Sequence, residues 1–345
     1  MRIGVLTGGG DCPGLNAAIR AIVRRGLANR CELLGFLHGW AGVLRSETRE
    51  LHLDSTKDIL GRGGTILGTS RTNPFAKGRE QEGLAAVRSA FSKNGLGALI
   101  AIGGEDTLGV ALQLHRDGLP VVGVPKTIDN DLALTDVTIG FDTAVQTVCE
   151  AIDRLRTTAE SHNRVMVVEV MGRHAGWIAT QAGIAGGADV ILVPEREFDI
   201  DQVCAHLTSR HERGRSFSIV VVAEGAKPRE GSIEVRQRGR SDEFGHERLG
   251  GIGVTLEEEI EARTGFETRV TILGHVQRGG APTAFDRVLA SRLGVAAVDA
   301  ALAHRSGVMV ALRGTDIVEV SLAEALAAPK LLHDRLYETA AVFFG

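Results

Sequence analysis

Short runs of branched apolar residues recur along this chain, each closed by glycine, proline or charge and each followed by a stretch of helical periodicity. Ile3–Leu6, Ala98–Ile102, Val121–Val124, Val165–Val170, Val190–Val193, Ile219–Val222 and Val308–Leu312 are almost wholly apolar. A strand with one wet face alternates apolar and polar residues. A run without polar positions has both faces covered, the condition of a parallel sheet flanked by helices. Strand–helix alternation then builds right-handed βαβ units and an open, doubly wound α/β sheet.

The pattern echoes itself. Val5-Leu6-Thr7-Gly8 leading into Asn16-Ala17-Ala18-Ile19 resembles Val168-Glu169-Val170-Met171-Gly172 leading into Ala175-Gly176-Trp177-Ile178, both strand, glycine turn and helix. The 345 residues suffice for two such units. The expected fold is therefore two similar Rossmann-like α/β domains with mostly parallel sheets, facing a cleft where the carboxyl ends of the strands converge. Lys227–Gly251, polar and glycine-rich, breaks the pattern as a surface insertion.

A formal charge of −4 offers no global attraction to nucleic acid or anionic lipid, so any phosphate site must be a local basic cluster. Cys12, Cys31, Cys149 and Cys204 have neither disulfide nor zinc spacing and fit reduced thiols. No apolar run reaches the roughly 18 residues of a membrane span, and no leader pattern opens the chain. A cytoplasmic location is expected.

Three segments carry chemistry. Gly8–Gly14 lies between a strand and a helix, where free backbone N–H groups favour an anion; Pro13 breaks dinucleotide spacing, and no Lys-Ser/Thr pair makes a Walker loop. Gly103-Gly104-Glu105-Asp106-Thr107 sets two glycines before two carboxylates at a strand end, which suits an anion and a hard cation. A helix cap by Asp106 or Thr107 is the plainer alternative. In Pro125-Lys126-Thr127-Ile128-Asp129-Asn130-Asp131, an extended chain points Thr127, Asp129 and Asp131 to one face beside a lysine. One acid could accept a hydroxyl proton while the lysine neutralises a transferring phosphoryl group.

These segments, with Met171-Gly172-Arg173 and Leu273–Gly280 (LGHVQRGG), stand in the order found in phosphofructokinases, and the chain resembles that family over nearly its whole length. The resemblance implies a donor-binding domain of residues 1–140 plus 277–327 and a fructose 6-phosphate domain of 141–276 plus 328–345, with the insertion at about 227–251. It implies that Asp129 takes the proton from the sugar's 1-hydroxyl, that Thr127 and Asp131 orient the reacting groups, and that Arg173 and Lys126 steady the transition-state charge. Gly10, Arg71, Gly104, Asp106, Thr107 and Lys126 would meet the phosphoryl donor, and Glu105 would hold Mg²⁺. Thr127, Asp129, Arg164, Met171, Gly172, Arg173, Glu224, Arg269, His275 and Arg278 would bind the sugar phosphate, with arginine gripping phosphate oxygens as a fork. Arg164 and Arg269 would reach the neighbouring subunit's site, which implies a homodimer or homotetramer. His38, His162 and His174 fit structural roles. Arg20, Arg24, Arg156, Arg213, Arg215 and Asp189 resemble parts of an effector site.

The donor loop departs from the Gly-Gly-Asp-Gly-Ser pattern of the common ATP-dependent branch, and Lys126 replaces a glycine. Asp106 with Lys126 resembles the pyrophosphate-dependent branch. A carboxylate at position 106 opposes a nucleotide's α-phosphate; two like charges at about 4 Å cost about 4 kcal/mol at an effective dielectric of 20, roughly a thousandfold. The expected reaction is reversible, pyrophosphate-dependent phosphorylation of fructose 6-phosphate at its 1-hydroxyl (a diphosphate–fructose-6-phosphate 1-phosphotransferase). An ATP-dependent phosphofructokinase is the alternative, and an NAD-dependent oxidoreductase a distant one, since Cys31–Leu37 ends in His38-Gly39 rather than a ribose-binding acid. No nucleic-acid or membrane partner is expected.

Overall fold

The computed structural model describes residues 1–234 and 250–344. The first half of the chain alternates strand and helix: β1 (Arg2–Thr7), α1 (Leu15–Ala28), β2 (Glu32–Phe36), α2 (Trp40–Arg45), β3 (Thr48–Glu50), α3 (Glu80–Asn94), β4 (Leu96–Gly103), α4 (Glu105–Arg116) and β5 (Val121–Pro125). A second series follows: α5 (Phe141–His162), β6 (Val165–Val170), α6 (Trp177–Gly186), β7 (Val190–Leu192), α7 (Ile200–Glu212), β8 (Ser218–Ala223), α8 (Ile252–Thr264) and β9 (Thr268–Ile272). The chain closes with α9 (Ala284–Leu302), β10 (Val308–Arg313), β11 (Asp316–Ser321), α10 (Leu322–Ala325) and α11 (Asp334–Ala341).

The strands form two sheets. One runs β11-β10-β5-β4-β1-β2-β3 and the other β7-β8-β6-β9. The second is parallel throughout; in the first, β3 and β11 are antiparallel edges on a parallel centre. The apolar runs are explained by this burial. In β4, Ile100 and Ile102 enter one core with α1 and α9, while Leu99 and Ala101 enter another with α3 and α4. Alternate residues thus serve opposite faces, and neither face can be polar. The core under α1 and α9 runs on without interruption to Val168, Val170 and Val221 of the second sheet. The outer face of that sheet packs Val167 and Val222 against α7 and α8. The expected α/β class with mostly parallel sheets is what the chain adopts.

The elements without an apolar run are edges. β9 and β11 mix polar and apolar residues, with Arg269 and Ile272 exposed in one and Asp316 and Glu319 in the other, so no continuous apolar run marks them. Of the expected insertion, Lys227 O accepts from Phe198 N at 3.1 Å and Arg229 meets Asp199 at 3.2 Å. Its residues 235–249 lie outside those described. Among the described residues no helix is long and apolar enough to cross a membrane.

Candidate active site

Parallel strands of both sheets end facing one another, and the turns after them build the site. After β1, Gly8 N donates to Ile102 O at 3.0 Å and Gly9 N to Ser70 O at 3.2 Å, so the glycine turn lies against β4 on one side and the loop bearing Arg71 on the other. Thr107 packs under Gly8 and Gly103 and is buried, while Gly104 lies over Lys126 and Thr127. At Gly10 a Cβ would stand 2.6 Å from an Arg278 Nη, so only glycine lets that guanidinium rest on the turn. Arg278 Nη1 also donates to Asp11 O at 3.3 Å.

Gly104 precedes α4 without any side-chain cap, and Glu105 and Asp106 occupy the first helical turn. Capping therefore does not account for the acidic pair. Carboxylates there lie at the positive end of the helix dipole, which stabilises them where a phosphate would otherwise be attracted. Lys126 is buried, with its ammonium donating to Gly10 O. Burial pushes its pKa down, opposed by Cys12, Asp11 and Asp129.

The 125–131 segment departs from the extended form. β5 ends at Pro125, a turn follows at Ile128–Asp129, and Asn130 adopts a left-handed φ of 52°. Asp129 N donates to Thr127 Oγ1 at 3.1 Å, and Thr138 Oγ1 donates to Thr127 O at 2.6 Å. The side-chain hydroxyls offer the backbone partners that a further strand residue would have used, and so close the turn. Asp129 and Asp131 remain within electrostatic reach of one another.

Burial raises the Asp129 pKa against the pull of Arg278, Arg173, Lys126 and His174. Asp131 is pushed up to about 7, by burial first and then by the Asp129 and Glu105 charges. Glu224 is also pushed up to about 7, by burial and then by Asp129 and Glu169, while Arg173 and Arg278 oppose the shift. Carboxyls raised toward neutrality beside arginines make this cluster a candidate proton-transfer site.

Backbone bonds from the second sheet set the other wall. Glu224 N donates to Val170 O at 2.8 Å and Gly225 N to Gly172 O at 3.1 Å, which docks the turn after β8 onto Met171-Gly172-Arg173. A Cβ on Gly225 would lie 2.0 Å from Arg173 O, so that approach requires glycine. His275 and Arg278 occupy the 3₁₀ turn Gly274–Arg278 after β9, with His275 exposed.

Arg164 and Arg269 stand apart from this cluster. Both contact Glu267, at 2.7 and 2.6 Å, at the amino end of the second sheet. The six residues of β6 lie between Arg164 and Met171, about 23 Å apart at ~3.3 Å per residue step. Of the effector-like residues, Arg156 donates to Gly187 O at 2.7 Å, and Asp189 pairs with Arg210 at 2.7 Å.

Two residues of the site had weak sequence signals. Buried Gln277 accepts from Met171 N at 3.2 Å and donates to Gly274 O at 3.0 Å, joining the walls that carry Arg173 and His275. Asp286, buried in the first turn of α9, accepts from Gly140 N and Thr143 N at 2.9 Å each, and so caps α5. Its signal was the Thr283-x-x-Asp286 pattern of a helix start.

A divalent cation can be tested against these groups. Among the described residues no three His, Cys, Asp or Glu side chains converge as a cage. Glu105 and Asp131 line one small recess together with Leu132, Ala325, Leu326 and Pro329. That fits Mg²⁺, which keeps its waters and takes one or two carboxylates together with substrate phosphates.

The sequence profile of the family described as Phosphofructokinase matches residues 2–301. The chain is 61% identical over 346 residues to the pyrophosphate–fructose 6-phosphate 1-phosphotransferase of Amycolatopsis methanolica, covering all of both chains. It is 54% identical over 347 residues, again full length, to the ATP-dependent 6-phosphofructokinase of Mycobacterium bovis. Among solved structures, the phosphofructokinase of Saccharomyces cerevisiae superposes with a TM-score of 0.80 and 34% identity, over 94% of this chain and 45% of that one.

Proposed function

The chain belongs to the phosphofructokinase family, and we propose that it transfers a phosphoryl group reversibly between pyrophosphate and the 1-hydroxyl of fructose 6-phosphate. The observation that carries this reading is buried Lys126, its ammonium on Gly10 O, with the Asp106 carboxylate in the first turn of α4. On this reading the cation beside the glycine turn meets the departing phosphate, and the Asp106 carboxylate opposes a nucleotide. The full-length relative at 61% identity carries the same activity in its name.

Asp129 accepts the proton of the sugar's 1-hydroxyl as its oxygen attacks the terminal phosphorus of pyrophosphate. Inorganic phosphate leaves, and Lys126, Arg173 and Arg278 balance the charge that develops. Thr127 and Asp131 orient the reacting oxygens, and Glu224 binds sugar hydroxyls. Gly10, Arg71, Gly104, Asp106 and Thr107 line the donor side. Met171, Gly172, His275 and Arg278 face the sugar phosphate. Glu105, with Asp131, would hold Mg²⁺, which when bound screens the phosphates' negative charge. A donor–acceptor matrix of initial rates tests the assignment, with pyrophosphate and MgATP against fructose 6-phosphate and sedoheptulose 7-phosphate. Pyrophosphate with fructose 6-phosphate gives the highest kcat/KM; an MgATP maximum overturns it.

The separation of Arg164 and Arg269 from Asp129 supports a site completed by a second copy of the chain, related by a two-fold axis. Inactive Arg164→Ala and inactive Asp129→Ser proteins, mixed under conditions of subunit exchange, then regain activity, because one site in each hybrid is intact. No recovery under proven exchange contradicts the shared site.

The raised carboxyls set opposite pH trends for activity and stability. Asp131 and Glu224 titrate near 7 in the folded chain, above their unfolded values of 3.8 and 4.5. The stability they contribute is fully present below those unfolded values and is lost as pH rises through about 7. Catalysis needs the carboxylates, so kcat/KM falls as pH falls through about 7 while the ligand-free melting temperature gains from these groups. Glu224→Gln removes its share of that gain, measured by melting at pH 5 and 8.

A further inference from the structure

Segment 326–333, between α10 and α11, crosses from one wall of the cleft to the other, and Lys330 lies at its crossing point. The Lys330 ammonium donates to Asn130 Oδ1 at 2.9 Å, Thr135 O at 2.8 Å and Asp136 O at 3.0 Å. Three acceptors match its three hydrogens, so the side chain is fully used. Its backbone N donates to Asp131 O at 2.7 Å. Side chain and backbone therefore both hold the turn in which Asn130, with its left-handed φ, sits between Asp129 and Asp131. Asn130 is itself 2% exposed and receives Thr138 N at 3.1 Å, so water has little access to the Asn130 oxygen that Lys330 holds.

The other contacts of the segment lie on the opposite wall. Trp177 Nε1 donates to Lys330 O at 2.9 Å, and the ammonium stands 5.3 Å over the Trp177 ring. Two residues on, Leu332 N donates to Glu195 Oε1 at 2.9 Å; the same oxygen accepts from Gly176 N at 3.0 Å. Gly176 closes the loop that begins with Arg173. α11 then anchors the segment, with Tyr337 OH donating to Ile191 O at 2.9 Å and Asp334 pairing with Arg196 at 2.8 Å.

We propose that Lys330 is a positioning residue for phosphoryl transfer: it fixes the turn of Asp129 and Asp131 and ties that turn to the loop of Arg173. The inference rests on the phosphotransferase reading. It adds a residue that touches neither substrate nor donor yet sets the distance between base and transition-state cation. Phosphoryl transfer depends on such placement, and a shift of about 1 Å can cost about a hundredfold.

Lys330→Met keeps an unbranched chain one atom shorter and removes all three donors. Its kcat with pyrophosphate falls about a hundredfold while KM values for both substrates stay near those of the unaltered protein. Trp177→Phe, which removes the donor to Lys330 O and shrinks the ring beneath the ammonium while leaving its three hydrogen bonds, gives a smaller fall of the same kind. Hydrogen–deuterium exchange in Lys330→Met shows faster uptake across 127–139 and unchanged uptake across 165–170. Unchanged kcat overturns the proposal, as does unchanged uptake across 127–139, or uptake that rises over the whole chain. Should the unaltered protein fail to use pyrophosphate, the donor reading fails alone. The exchange pattern then decides the tie by itself, a local rise supporting it and its absence overturning it.

Discussion

Replacing Asp129 with Asn lowers kcat by about 10²–10⁴-fold and leaves fructose 6-phosphate binding nearly unchanged. The carboxylate sits in a half-buried turn, held by Thr127 Oγ1 on its own backbone N–H and faced by Arg278, Arg173 and Lys126. Burial raises its proton affinity while the cations keep the charged form available, which is the compromise a base needs near neutral pH. Asn keeps the volume of the side chain and one acceptor oxygen but cannot take a proton. The loss therefore falls on kcat, and titration calorimetry with fructose 6-phosphate gives an affinity close to that of the unaltered protein. Unchanged turnover in Asp129→Asn removes this residue from the mechanism; loss of sugar binding assigns it to recognition instead.

Donor choice divides between two residues. Lys126→Gly depresses kcat with pyrophosphate by about 10²–10³-fold, since a preorganised cation in a water-poor site acts on charge that develops only in the transition state. The lysine is 3% exposed and its ammonium donates to Gly10 O, so the cation is held in place before the donor arrives. Asp106→Gly acts on the other substrate. It relieves repulsion and volume at the place of an α-phosphate, both felt in ground and transition states, so KM for ATP falls while kcat moves little. The ceiling on that relief is roughly a thousandfold, from about 4 kcal/mol of like-charge repulsion at close range. The double variant is the best ATP user of the set. Kinetics with both donors check this; an Asp106→Gly protein with unaltered ATP kinetics contradicts the role given to that carboxylate.

Local information in the sequence was read where burial is complete. β6 occupies Val165–Val170, the very residues of its apolar run, because every apolar side chain has a core to enter and Glu169 accepts from Gly253 N at 2.7 Å. β9 and β11, at sheet edges, left only partial alternation. The glycine turn and the acidic first turn of α4 were visible because spacing alone sets their chemistry. The 125–131 segment was visible as a cluster but not as a shape. Thr138 and Asn130, from outside or within the run, override the extended form with side-chain hydrogen bonds that no periodicity encodes. Lys330 had no local signal at all, lying in Ala-Ala-Pro-Lys-Leu-Leu. Its partners are 194 to 200 positions earlier in the chain, so only the fold could bring them together.

The most direct test follows the phosphorus itself. In a ³¹P NMR time course with catalytic protein, Mg²⁺, pyrophosphate and fructose 6-phosphate, the pyrophosphate resonance declines. Inorganic phosphate and a new sugar 1-phosphate resonance grow in equal amounts. Addition of excess inorganic phosphate to the product then regenerates pyrophosphate. A pyrophosphate signal that stays constant in this mixture, while MgATP under the same conditions yields fructose 1,6-bisphosphate and ADP, contradicts the donor assignment on which the account rests.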